Sequence, residues 1–591
     1  MHDQQFPTDE IAGKIYDWQL IRRLLHYIVP YRLLLATTLI FLLAGAGLEL
    51  VGPYLVKIAI DTYIKAGDFT GLSRICVIFL LALVLRSLLS FLESYATQLL
   101  GQRVIRDLRM ELFNHVQSLS LSFFDRYPVG RIMTRIGSDV EVINEMLSDG
   151  ILMVLGNVLT LLGILLVMLW MNVRLTLVIF SILPLVVAAS LKFRTGVRQA
   201  FRDTREKIAR INSFLQENIT GMKEVQLFGR EKQNFGHFDR INREHQDAYL
   251  RAVFYYALFF PFIEILASVS TALIIWYGGV RAFEGTLTIG LLVAFIEYMG
   301  RFFRPVRELS EKYNVLQATM SSAERIFGLL DTRQQVRVSV SPRPFPGLQK
   351  EIIFDRVWFA YEGENYILKD ISFCLPRGKT LAIVGATGAG KTSIVNLLGR
   401  YYDFQQGRIL IDGVDIREYD LKELRSAIAM VQQDAFLFST TILHNITLGN
   451  PAVSLKRVQQ VAEYINASTF IEQLPEGYQQ VLTERGNTLS AGQKQLLAFA
   501  RALAGGPDIL VLDEATASID SETESLIQDA LRKLVRNRTS IIIAHRLSTI
   551  TDADQILVLH KGRVAEEGTH STLLLKGGIY KKLYETLVWK P

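Results

Sequence analysis

KTLAIVGATGAGKTSIVNLLGR, residues 379–400, runs from an apolar stretch through a glycine-rich loop into a helix-forming stretch. The spacing of GATGAGKT matches a phosphate-binding loop, and a strand before it with a helix after it is the context that motif requires. Gly385, Gly388 and Gly390 allow consecutive backbone N–H groups to curl around phosphates. The loop residues Gly385, Ala386, Thr387, Gly388, Ala389 and Gly390, with Lys391, Thr392 and Ser393 opening the helix, are therefore the expected nucleotide contacts. Lys391 reaches the β and γ phosphates, and the Thr392 hydroxyl is a Mg²⁺ ligand.

A second acidic element follows downstream. In DILVLDEATASID the apolar residues 509–512 predict a buried strand ending in Asp513 and Glu514. Carboxyl ends of parallel strands are where open α/β sheets bind ligands, which places Asp513 on the metal. Glu514, one residue further, is the candidate to polarise the attacking water. SIIIAHRLST predicts another buried strand delivering His545 towards the same γ-phosphate, and Gln433 in MVQQDAFLF ends an apolar run where it meets metal or water. Tyr361 in FAY precedes the loop by a hairpin-like interval, as an adenine-stacking ring would. For Gln433 and Tyr361 spacing alone leaves the role open.

NTLSAGQKQLLAFARAL, residues 487–503, offers a further anion site. Ser490 is a good N-cap, Gly492 permits close approach to the backbone, and strong helix formers follow. One nucleotide has no evident need of two helix ends from one chain.

The chain has 591 residues, half of them apolar, and the apolar excess lies almost entirely before about residue 305. Six spans are predicted: Leu33–Leu55, Cys76–Leu99, Gly150–Val173, Leu175–Leu191, Ala252–Tyr277 and Leu287–Phe303. Each is near the roughly 20 residues that cross the hydrocarbon of a bilayer. Ahead of them, residues 17–32 predict an amphipathic helix with Trp18, Ile21, Leu24, Leu25 and Ile28 on one face and Arg22, Arg23 and His26 mostly opposite, suited to the cytosolic leaflet. The net charge of +6 reflects basic residues beside the spans, which act as topology signals and do not point to nucleic acid. The positive-inside rule places the amino terminus, two long helical connections and the carboxyl half in the cytosol. Each long connection carries a short breaker-bearing stretch, SFFDRYPVGRIMTRIGSDV and NSFLQENITGMKEVQLFGRE, suited to a transverse helix that docks on a soluble domain.

MHDQQFPTDE lacks the basic and apolar regions of a cleavable signal, and Cys76 and Cys374 fall in unlike contexts that do not suit a disulfide. Residues 331–350 carry three prolines and read as a linker. The expected organisation is residues 1–30 as a cytosolic terminus with the interfacial helix, 31–330 as a six-span all-α domain, 331–350 as linker and 351–591 as an α/β phosphate-loop ATPase. Ionisable residues within spans, Glu49, Arg86, Glu93, Glu264 and Glu297, are candidates for contact with cargo, either by selecting amphipathic cations or by pairing among themselves.

The phosphate loop, Gln433, LSAGQ, VLDEATASID and His545 stand in the order and spacing of an ATP-binding cassette domain. Behind a six-span domain bearing FFDRYPVGRIMTRIGSDV, they make the chain resemble a bacterial ATP-binding cassette exporter half-transporter of the multidrug and lipid-flippase type. The resemblance implies ATP and Mg²⁺ as cofactors, a cytoplasmic-membrane location, contact with membrane lipids and export of an amphipathic small molecule. It also answers the question of two anion sites, because in that family two cassettes meet head to tail. Ser490, Gly492 and Gln493 would then serve a partner's ATP. Tyr361 maps onto adenine stacking, Gln433 onto metal and coupling, Asp520 onto cross-dimer contact, and TERG from Thr483 onto the transverse helices. The family's middle signature glycine is Ala491 here, which favours a heterodimer over a homodimer, with this chain supplying the intact acids and histidine. An ATP-gated channel or regulatory membrane ATPase is the alternative from another class.

Overall fold

A computed structural model of the chain describes residues 17–333 apart from 312, then 336, 339, 341–513, 521–544 and 550–588. By contacts the chain divides into two units, one comprising residues up to 117 with 129–332, the other comprising 118–128 with 333 onwards.

In the first unit α1 (Trp18–Ile28) starts at Asp17, whose side chain accepts from the backbone N–H of Gln19. Leu24 and Ile28 turn inward, whereas Trp18, expected on the same face, stays 66% exposed. Arg23, expected on the polar face, instead pairs with Asp331 at 2.7 Å and lies over the Phe327 ring. Among the described residues five continuous helical runs are long and apolar enough to cross a membrane: Trp18–Ile64, Phe69–Ser118, Val129–Met171, Val173–Thr220 and Glu231–Phe283. They contain α2 (Arg32–Ile58) and α3 (Phe69–Ser118). At 1.5 Å per residue the 50 residues of α3 extend about 75 Å, more than twice the hydrocarbon thickness, so an extension beyond the bilayer follows from helix length.

The sixth expected span corresponds to α6 (Ile289–Glu311), of sufficient length but carrying Glu297, Arg301 and Arg304. It packs on α2, on Leu152–Met171 and on Glu231–Leu273. The two transverse segments fare differently. α4 (Leu121–Arg126) belongs with the second unit, whereas α5 (Met222–Leu227) remains with the first and leaves Leu227 and Phe228 more than 70% exposed.

The second unit contains two sheets. Strands β1 (Glu351–Phe359), β2 (Leu368–Pro376), β4 (Gln406–Ile411) and β5 (Val414–Asp415) form an antiparallel sheet in the order β2-β1-β4-β5. The larger sheet runs β10-β9-β3-β8-β7-β6, from β3 (Thr380–Gly385), β6 (Ile428–Val431), β7 (Ile509–Asp513), β8 (Thr539–Ile543), β9 (Gln555–His560) and β10 (Arg563–Gly568). All its pairings are parallel except β9 with β10. β8 is buried along its full length and β3 and β7 up to their last residue, which explains why their sequences are continuous apolar runs without alternation. The carboxylate of Asp412 accepts from the N–H groups of Gln349, Lys350 and Glu351, Phe345 donates to Glu423, and Leu348 is buried, so residues from about 343 onward are part of this unit.

Candidate functional site: a phosphate loop at the edge of a parallel sheet

β3, β8, β7 and β6 lie side by side and parallel, so their carboxyl ends share one edge. That edge receives Gly385 from β3 and Asp513 from β7, with Gln433 two residues beyond β6 and exposed. The loop then turns into α7 (Lys391–Leu398). At Gly390 the backbone is left-handed, φ +101°, and a Cβ there would fall 2.5 Å from a Leu368 methyl. At Gly385 an added Cβ would fall 2.4 Å from the Leu559 carbonyl. Only glycine satisfies both constraints, which is the physical reason for the motif's first and last glycines. Ala386, Thr387 and Gly388 form the exposed crest, and Ala389 is buried beneath it.

Lys391 is 7% exposed. Its Nζ folds over the loop and donates to the carbonyl oxygens of Gly385 at 2.8 Å and Ala386 at 3.2 Å. Burial holds the ammonium below the usual lysine range, with the Asp513 carboxylate opposing that shift. The cation is therefore desolvated and aimed at the mouth of the loop before any anion arrives. Thr392, its neighbour, is exposed at the same mouth. Glu514, His545 and Asp520 lie outside the described residues. The strands that lead to the first two are described, Asp513 being the last residue of β7, and Ala544 after β8 donating to Ile383 of β3.

Tyr361 stands next to the loop helix: its hydroxyl is 3.1 Å from Ser393 Oγ, and its ring meets Phe359 and Tyr402 edge-on. Beside it is a cavity of about 600 Å³ lined by Ser122, Arg126, Tyr361, Asn365, Ile367 and Tyr402. Arg126 of α4 closes one side, with an ion pair to Glu362 at 3.2 Å and a hydrogen bond to the Tyr361 carbonyl. Sequence reasoning anticipated a docking transverse helix but not these partners, because nothing local relates Arg126 to residues more than two hundred positions away. If the ring stacks on a base, Tyr361→Leu weakens ATP binding about tenfold, within the 1–3 kcal/mol of a base on an aromatic face. A fluorescent-nucleotide titration checks this.

The other predicted anion site is built separately. Ser490 caps α8 (Ala491–Ala504), accepting from Gln493 N, and the Gln493 side chain accepts in turn from Ser490 N. This reciprocal box explains the Ser-x-x-Gln spacing without any ligand. Ser490 and Ala491 are exposed, Gly492 is buried, and α8 packs on the helices Ile442–Thr447, Leu455–Tyr464 and Ser521–Val535.

In the first unit Arg86 pairs with Glu49 at 2.9 Å, so pairing within the bundle accounts for that base. Arg301, overlooked in the sequence, pairs with Glu297 at 3.8 Å. Among the described residues Glu93 and Glu264 make no ion pair.

The family model of the ABC transporter transmembrane region matches residues 35–306, and that of the ABC transporter ATPase matches 368–517. The chain is 41% identical over 580 residues to the ABC transporter ATP-binding protein YknV of Bacillus subtilis, covering 98% of this chain and 96% of that one. It is 36% identical to an ATP-dependent lipid A-core flippase of Desulfotalea psychrophila, with 96% and 99% covered. A solved bacterial Atm1-family ABC exporter with ATP bound superposes with a TM-score of 0.77 at 30% identity, over 94% of this chain and 98% of that one. The chain belongs to the ABC transporter family, as a multi-pass membrane protein with its transmembrane region and its ABC transporter domain fused in one polypeptide.

Proposed function

We propose that this chain hydrolyses ATP to export or flip amphipathic small molecules, drugs or lipids, across the bacterial cytoplasmic membrane by alternating access. The observation that carries the reading is the desolvated Lys391 ammonium poised over a glycine loop, electrostatically coupled to Asp513 across the same sheet edge. Lys391 binds the β and γ phosphates, and the loop N–H groups from Gly385 to Ser393 cradle them. Thr392, Asp513 and Gln433 would hold Mg²⁺, which neutralises phosphate charge. One carboxylate and two neutral side-chain oxygens, completed by phosphates and water, suit that ion. Glu514 orients the water, and His545 faces the γ-phosphate.

The working unit is a dimer, in which Ser490, Gly492 and Gln493 complete the partner's site. Two observations support it: α8 has an exposed N-terminus away from its own loop's contacts, and α5 presents Leu227 and Phe228 without cover in its own unit. Ala491 favours a second, different half-transporter as that partner. Among the described residues the acids of the spans exceed the bases they pair with, Glu93 and Glu264 remaining, which favours cationic amphiphiles.

Hydrolysis by the lipid-reconstituted chain beside Glu514→Gln tests the reading. Turnover falls by about a thousandfold in the variant while ATP still binds, as loss of a water-orienting base requires. Conductance supported by a non-hydrolysable analogue, without concentrative uptake into inverted vesicles, would replace the exporter by a gated channel.

A further inference from the structure

The sequence LELVGPY, residues 48–54, puts a proline inside α2. Pro53 has no N–H, so the carbonyl of Glu49, four residues earlier, loses its helical partner. At membrane depth such a group must find another donor within the protein. The donor is Arg301 of α6, whose Nη1 donates to the Glu49 carbonyl. Gly52 makes room for it: a Cβ at that position would lie 3.1 Å from Arg301 Nη2. One turn away on α6, the Tyr298 hydroxyl donates to the Leu50 carbonyl at 2.5 Å. The Glu49 side chain meanwhile holds Arg86 of α3 at 2.9 Å. A single residue thus joins three helices, by its backbone to α6 and by its carboxylate to α3.

A backbone helix bond in lipid is not readily surrendered, because neither partner has a substitute. A guanidinium differs, having five N–H donors, and here a second acceptor stands near, the Glu297 carboxylate at 3.8 Å on its own helix. Arg301 and Glu297 both retain partial access, 25% and 36% exposed, while Gly52 and Pro53 are buried. The contact between α2 and α6 is therefore exchangeable, in contrast with the bonds above and below it.

We propose that Arg301 is a positioning residue for transport: it replaces the N–H that Pro53 removes, holds the break in α2 against α6, and passes to Glu297 when the two helices part. This rests on the exporter reading, since only a transport cycle requires α2 and α6 to change partners.

The test is a double-mutant cycle on the full chain in phosphatidylethanolamine–phosphatidylglycerol vesicles. ATP turnover and KM for ATP are measured for the wild type, Arg301→Met, Arg301→Lys, Pro53→Ala and the Pro53→Ala/Arg301→Met double variant. The midpoint of thermal unfolding in detergent is followed in parallel. Arg301→Met lowers kcat about tenfold with KM for ATP unchanged, whereas Arg301→Lys, whose ammonium still offers N–H donors to the Glu49 carbonyl, retains most of the rate. On the Pro53→Ala background, where the backbone satisfies Glu49, the loss from Arg301→Met shrinks to less than about twofold. An equal loss on both backgrounds overturns the proposal, since Arg301 would then act through its charge. Should Pro53→Ala not assemble, Gly52→Val serves instead: a Cβ at Gly52 already lies 3.1 Å from Arg301 Nη2, so two further methyls there displace the guanidinium, the variant reproduces the Arg301→Met loss and adds nothing to it, and additive losses overturn the proposal. A wild type without turnover both alone and with a second half-transporter removes the exporter reading, while the thermal cycle still reports whether Arg301 and Pro53 are coupled.

Discussion

Lys391→Met lowers ATP hydrolysis by at least about a hundredfold, the loss expected when one preorganised donor to a developing phosphate charge is removed. Lys391 Nζ spends its hydrogen bonds on the Gly385 and Ala386 carbonyls, at 2.8 and 3.2 Å, with its ammonium held below the ordinary lysine range by burial. A phosphate entering the loop meets a cation already stripped of water, so little is lost in reorganising solvent at the reacting centre. The same burial means that methionine, of similar length, fills the site at little cost to folding. The expected pattern is thus a severe loss in phosphate release with the thermal midpoint of the second unit nearly unchanged. A variant that hydrolyses at more than a tenth of the wild-type rate would remove Lys391 from the catalytic role and with it the reading of this sheet edge.

What could be read directly from the sequence was what is local. GATGAGKT contains its own geometric reasons, which the structure expresses as the crowded Gly385 and the left-handed Gly390. The apolar runs before Asp513 and around Ile541 announce strands buried on both faces, and parallel pairing follows from that. Pairings between distant segments were not readable. Pro53 is plain in the sequence, but the donor that answers it, Arg301, is 248 residues away and identifiable only once α2 and α6 are packed. Arg23 shows the same limit. Helical periodicity assigned it to a polar face, and the cation–π contact with Phe327 and the ion pair with Asp331 turned it inward. The firmness of residues 349–351 was equally hidden: prolines mark irregular backbone, yet irregular backbone can be held as firmly as a strand when one carboxylate, that of Asp412, accepts from three successive N–H groups.

Ser490→Asp should abolish hydrolysis without disturbing the fold, because aspartate caps a helix as well as serine does while its carboxylate repels a γ-phosphate. The variant becomes informative when mixed with Lys391→Met. In a head-to-tail dimer each variant alone has two defective sites, one kind lacking the lysine and the other facing a repelling cap. A mixed dimer concentrates both lesions in one site and leaves the other with an intact Lys391 facing an intact Ser490. Equal mixing makes half of the dimers mixed, so about one quarter of the wild-type rate returns if the sites act independently. Were Ser490 to serve the nucleotide of its own chain, no combination would restore activity, since every chain would carry one lesion of its own. The separation between α8 and the phosphate loop, expressed in their different packing partners, favours recovery. If the wild-type chain alone proves inactive but gains turnover with another half-transporter, the same pair of variants, introduced one at a time into this chain, identifies which composite site is lost. Lys391→Met then disables the site containing Asp513 and Glu514, whereas Ser490→Asp disables the site on the partner's phosphate loop, and Ala491 marks the latter as the weaker of the two.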